Sequence, residues 1–206
     1  MSLTSMALRI AAVQALKAGG TLVGSNVLDS QIAAIDHTAD GKLSSDQEHP
    51  FIAVYSDAAR AMDLGSTGLR SNGQIELLFN FGVSMTMART DKENGASVVS
   101  GLPATDPHFE ALLDMISLQI ARVLVDPDNP WAQVFGGFVT SYLAKEQARS
   151  SSNVDRARLA AGQIKLTVAA FADPIHGQPL AEGGPWAAFM QLAETDGLSQ
   201  LALFQA

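Results

Sequence analysis

"GQIELLFNFGVSMTM", residues 73–87, reads at a period of two. Ile75, Leu77, Phe79, Phe81, Val83, Met85 and Met87 alternate with Gln74, Glu76, Leu78, Asn80, Gly82, Ser84 and Thr86. That is the period of a β-strand, whose successive side chains leave opposite faces. The stretch predicts a long strand with one dry face and one wetter face, and Gly82 marks a candidate bulge. A strand of this kind needs other strands beside it and a layer over its dry face.

Both are found on either side of it. "PFIAVY" at 50–55 is an apolar run with β-branched and aromatic members, and it predicts a strand buried on both faces. "AAGQIKLTVAAF" at 160–171 alternates Ile164, Leu166 and Val168 against Gln163, Lys165 and Thr167, predicting a second long, half-exposed strand. A brief strand is expected through Val27. The covering layer comes from amphipathic helices. Residues 3–18 carry Met6, Ile10, Val13 and Leu16 at three- and four-residue steps, and Gly19-Gly20 stop the helix. Asp106-Pro107 opens a helix with Phe109, Leu112, Leu113, Ile116, Ile120, Val123 and Leu124 on one face. Asn129-Pro130 opens another, in which Trp131, Val134, Phe135, Phe138, Val139, Tyr142 and Leu143 form one apolar stripe read as core. The segments 56–73, 88–105 and 145–158 are expected to be connections, and 172–206 a Gly/Pro-rich loop, a short helix from Pro185 and an apolar tail. Strands and helices are grouped and do not alternate regularly. The expected fold is α+β, a mostly antiparallel sheet with amphipathic helices packed on one face. Residues 1–171 form the α+β domain, and 172–206 are a C-terminal extension packed on that domain or on a neighbouring subunit.

Composition narrows the function classes. The chain of 206 residues has 13 Lys plus Arg against 21 Asp plus Glu, a formal net charge of −8 that repels phosphate backbones and anionic lipid. Specific nucleic acid and membrane partners are therefore not expected. There is no cysteine, so no disulfide, thiolate metal site or cysteine nucleophile is available. No apolar run approaches a membrane span of about 18 residues. The phosphate-binding, dinucleotide, zinc-protease and serine-hydrolase motifs are missing, and the chain is expected to be neither an enzyme nor a cofactor protein.

Three local patterns nevertheless suggest chemistry. The first is "DHTADGKLSSDQ", residues 36–47, which places Asp36, Thr38, Asp40, Lys42 (through its carbonyl), Ser44 and Gln47 at the ligand positions of a calcium loop, with Gly41 at the turn. As a metal site it is weak. Gln47 stands where a bidentate glutamate is needed, two carboxylates are few for an ion that takes about 6–8 oxygens, and Pro50 denies the loop its exit helix. A polar connection turning at residues 39–42 is the favoured reading. The second pattern is His108-Phe109-Glu110, which has the His-x-Glu spacing of zinc deaminases without their cysteine pair. The third is the set Lys145, Arg149, Arg156, Arg158 and Lys165, the chain's one basic concentration, read as a solvated connection before a phosphate or acidic-partner site.

Four segments taken in order carry a family likeness: "LRIAAVQAL", then "VGSNVLDSQIAAID", then "PFIAVYSDAA", then "GQIELLFNFGVSM". Together they resemble the tail terminator (tail completion) proteins of long-tailed phages and prophages, in which a similar helix precedes a Val-x-Asp-Ser segment, a variable loop and a Pro-x-Ile-x-Val-Tyr strand. The likeness continues more weakly to about Phe171, while the 88–105 loop and the extension beyond Phe171 depart from it. It implies a structural virion protein with no active site, a small α+β domain that forms a hexameric ring with itself on the tail tube. Its partners would be the tail tube protein and the head–tail connector, and it would be found in the bacterial cytoplasm during assembly and then in the virion tail. Another tail or neck component of similar fold, and an unrelated ligand-binding module with a degenerate calcium loop, remain as alternatives.

Overall fold

The computed structural model describes residues 2–31, 36–37, 43–44, 47–62, 65–84, 89–91, 95–99, 102–103, 105–154 and 157–205. In chain order the elements are α1 (Leu3–Ala18), β1 (Val27–Asp29), β2 (Asp36–His37), β3 (Leu43–Ser44), β4 (Phe51–Arg60), a 3-10 segment (Gly65–Arg70) and β5 (Gln74–Ser84). They continue with β6 (Arg89–Asp91), β7 (Gly95–Val99), β8 (Leu102–Pro103), α2 (Asp106–Val123), α3 (Pro130–Phe138), β9 (Val139–Val154), β10 (Ala157–Ala170), α4 (Pro185–Thr195) and α5 (Leu201–Gln205).

The alternating stretch forms β5, the middle strand of a five-stranded sheet ordered β1-β4-β5-β10-β9. β1 runs parallel to β4, and every other neighbouring pair in the sheet is antiparallel. Ile75, Leu77, Phe79, Phe81 and Val83 are fully buried, as a strand flanked on both edges and roofed on one face requires. The roof is helical: α1 packs on β1 and β4, α2 on β5 and β10, and α3 on α1. The fold is thus α+β with a mostly antiparallel sheet. Ile52 and Val54 of β4 enter this main core, while Phe51 and Ala53 form a smaller cluster with Leu28 and Tyr55. Alternation puts that second cluster on the opposite face, so the opening of β4 is buried on both sides. The 172–206 segment adds to the main core. Phe189 is fully buried and meets Trp131, Phe138, Trp186 and Phe204 edge-on, at centroid distances of 4.9–6.1 Å.

Long-range polar contacts close the ends of the helices. Asp173 accepts from the backbone N–H of Leu3 (3.2 Å) and Thr4 (2.9 Å), which have no partner within α1, and Asn72 holds that carboxylate at 3.1 Å. Asn129 caps α3 through Oδ1, at 3.1 Å from the Trp131 N–H and 3.3 Å from the Ala132 N–H. Its Nδ2 donates to the Ala15 carbonyl in the last turn of α1, at 2.9 Å.

Several expectations need correction. α1 is buried round most of its circumference and not along one stripe, because Ala7, Ala11, Ala12 and Ala15 let α3 and the sheet approach closely from different sides. β4 runs on to Arg60 instead of ending at Tyr55, since pairing with β5 continues past a register shift between Ser56 and Ala58. The irregularity therefore lies in β4. Gly82 itself is regularly paired with Phe51 and Ala161, and its missing side chain makes room for the Phe51 ring, which a Cβ would meet at 3.1 Å. Within 88–105, read as a loop, β6, β7 and β8 pair as a small antiparallel sheet. The largest correction concerns the helix opened by Asn129-Pro130. It ends at Phe138, and residues 139–154, read as its last turns followed by a connection, form β9. Gly136 and Gly137 weaken the helix, Val139 and Thr140 are β-branched, and β10 offers a partner along the length of the strand.

Candidate interaction surface

The polar residues inside the family-like segments tie elements together. Arg9 of α1 pairs with Asp29 of β1 at 2.6 Å. Ser30, at φ 52°, donates its N–H to the Val54 carbonyl (2.9 Å), and the Tyr55 hydroxyl donates to the Gln31 carbonyl (2.6 Å). These bonds fix how α1, β1 and β4 meet. Burial pushes the Tyr55 phenol above its ordinary range.

The calcium-like loop is flanked by β1 and β4, where a calcium helix–loop–helix would have helices. Asp36 and Ser44, its first and ninth positions, face each other across a short antiparallel pair, with His37 opposite Leu43. Thr38, Asp40 and Lys42 fall outside the described residues, and Gln47 lies in irregular chain ahead of β4. Among the described residues no three His, Asp or Glu side chains gather as metal ligands do. His108 sits on the first turn of α2, its Nδ1 2.6 Å from the Thr105 hydroxyl, while Glu110 turns to Arg149. The two thus face different partners.

The basic set is divided by the sheet. Arg149 bridges Glu110 (2.7 Å) and Asp114 of α2, a clasp between α2 and β9. Lys165 pairs with Glu76 at 2.6 Å, and this hydrogen bond holds its ammonium above the usual lysine range. Strand pairing places Lys165 opposite Glu146 and one residue out of phase with Arg149, so the two cations leave opposite faces. Arg158 pairs with Asn153 in the backbone ladder, and Arg156 lies outside the described residues. Lys145 takes part in a different feature.

That feature is an apolar groove of about 340 Å³ between the C-terminal half of α2 and the start of β9. Ile120, Leu124 and Val125 form one wall, Tyr142 and Leu143 the other, and Leu166 the floor, with Lys145 the one charged residue lining it. The groove exists because α2 covers β5 and β10 but not β9. A register shift adds to it: Thr167 faces Ala144 and Val168 faces Tyr142, so Leu143 is squeezed out of the ladder. Tyr142 and Leu143, expected in the helical core, are instead 51% and 46% exposed. The phenol of Tyr142 is raised by the burial it does have. Alongside the groove, β9 is the outermost strand, and residues 140–150 are all exposed. Among the described residues no strand is hydrogen-bonded to its outer side, although β3 packs near it. No described helix is long and apolar enough to cross a membrane.

Comparison with known protein families gives no match, and neither does comparison with curated proteins.

Proposed function

We propose that this chain is the ring-forming subunit that ends the tail tube of a long-tailed phage or prophage and offers the surface to which the head connector joins. The reading rests on one observation: the family-like segments, short and apolar when taken singly, fall on elements that touch. "LRIAAVQAL" is α1, "VLDS" holds β1, "PFIAVY" opens β4 and "GQIELLFNFGVS" is β5, so the likeness follows one contiguous half of the sheet and its roof. The more weakly similar strand at 160–171 is β10, the next neighbour. The molecule also has what a scaffold subunit uses: a half-polar sheet face, an outer strand with no hydrogen-bonded neighbour on one side among the described residues, and an apolar groove beside it. In this reading the chain carries no catalysis and binds itself, the tube protein and the connector.

The test is assembly of tail tubes from the tube protein of the same genome, with and without this chain. Expected are shorter tubes bearing the added protein, seen by electron microscopy of a gold-tagged form, at one end only. Tubes of unchanged length with no terminal density would remove the reading, and label along the whole tube would move the protein to the tube wall.

A further inference from the structure

The register shift in β9 does more than open the groove. In a regular strand residues three apart leave opposite faces, so Tyr142 and Lys145 would point away from each other. Here Tyr142 pairs with Val168 and Lys145 with Leu166, two residues of β10 on the face turned to the main core, because Leu143 adds one position between them. Both side chains therefore line the groove, and they bring to it one ammonium and one phenol hydroxyl. Neither group has a hydrogen-bond or ion-pair partner among the described residues. The neighbouring charges are engaged or turned away. Arg149 takes Glu110 and Asp114, and Glu146 leaves the far face of the sheet opposite Lys165. The groove thus joins apolar walls to a single positive charge that no described carboxylate balances.

We propose that the groove binds a single-chain amphiphile of the fatty-acid class, its alkyl chain lying between α2 and Leu166 and its carboxylate on the Lys145 ammonium and the Tyr142 hydroxyl. Every methylene group that the walls of Ile120, Leu124 and Leu166 take from water adds to the attraction. The groove's volume of about 340 Å³ lies near the lower end of the roughly 300–1,000 Å³ of small-molecule sites, which suits one chain and not a two-chain lipid. Charge selects the head group. A carboxylate brings the one negative charge that Lys145 matches. A phosphate monoester brings nearly two, and the excess would be held against a chain already at −8. A cationic amphiphile would set its head against Lys145. The site is argued from the groove alone and holds whether or not the chain acts on a phage tail.

The test is titration of the isotope-labelled chain with decanoate, decanol and decyltrimethylammonium, each below its micelle concentration, followed through the backbone amide resonances. Decanoate should give saturable shifts at residues 120–125 and 142–145 and leave those of 185–195, beside the second cavity, in place. Decanol should bind about fivefold more weakly, the scale of one partly exposed ion pair, and the ammonium compound more weakly still. Lys145→Met keeps the apolar stem of an exposed side chain, so the unfolding temperature should hold while decanoate affinity falls to that of decanol. Ala121→Phe, which fills the groove from the helix side, should abolish binding of both. Equal affinity of the wild-type chain for decanoate and decanol, or an equal loss of both in Lys145→Met, would mean a merely apolar surface and overturn the proposal. Shifts confined to another part of the molecule, or none at all, would overturn it too.

Discussion

Asn129 shows how one side chain can serve two helices. Its oxygen caps the start of α3 and its amide nitrogen holds the last turn of α1, and the residue is 6% exposed. Asn129→Ala should cost about 1–2 kcal/mol from the lost cap alone, read as a fall in the urea midpoint. Asn129→Asp is the sharper test. It keeps the cap acceptor but sets a carboxylate against the Ala15 carbonyl at the negative end of α1, so it should also destabilise. A wild-type midpoint for the aspartate variant would show that the tie to α1 contributes nothing. Gly162 offers a second test, of packing. A methyl group there would collide with the Phe81 ring, so Gly162→Ala should destabilise by about 1–3 kcal/mol through overpacking. An unchanged midpoint would mean that the ring moves aside without cost. The Asn129-Pro130 cap is legible in the sequence because capping is a local device. The bond from Asn129 to Ala15 is not, because it links residues 114 positions apart.

At the scale of elements, the alternation of β5 and the stripe of α2 are legible for the same reason: burial on one face writes a period into the chain. β9 was hidden by coincidence. Val139, Tyr142 and Leu143 continue the helical spacing begun at Trp131, and what turns them into a strand is the distant partner β10, which no local pattern reveals. The groove depends on that turn, so it was illegible as well, although Gly136-Gly137 ahead of β-branched Val139-Thr140 was an available sign. The clasp of Arg149 on Glu110 and Asp114 belongs to this scale. Its partners are 56% and 72% exposed, so Arg149→Ala should cost no more than about 1 kcal/mol in global stability. Its larger effect should be local, a faster amide exchange in β9 around residues 147–151 with exchange in β5 unchanged. Equal acceleration in both strands would contradict this.

For the whole molecule, titration at high pH is the informative axis. Tyr55 and Tyr142 are raised by burial and Lys165 by its bond to Glu76, so between pH of about 10 and the folded values these groups keep protons that the unfolded chain has released. The lysine's contribution is fully present below its unfolded value and is lost as pH rises through the folded one. The tyrosines act in the same direction, so stability should be flat with respect to these groups up to about pH 9 and fall beyond it. Unfolding temperatures measured from pH 8 to 11 check this, and Lys165→Met should flatten part of the decline. A steady or rising value above pH 10 would contradict it. Removal of Phe189 tests whether 172–206 belongs to the single core. Phe189→Ala should cost about 3–5 kcal/mol and weaken the whole domain in one transition, whereas a separate early transition would mark the segment as an independent unit.

The capping of α1 by Asp173 bears on how the protein is made. The acceptor lies 169 residues beyond the Thr4 amide it satisfies, so at a synthesis rate of about 5–20 residues per second the first helix waits on the order of ten to thirty seconds on the ribosome for its own end. In that interval β5 also lacks its neighbour β10. A nascent chain therefore leaves the outer side of β5 without its partner until β10 has been made, and two amides at the start of α1 without their acceptor until Asp173 follows.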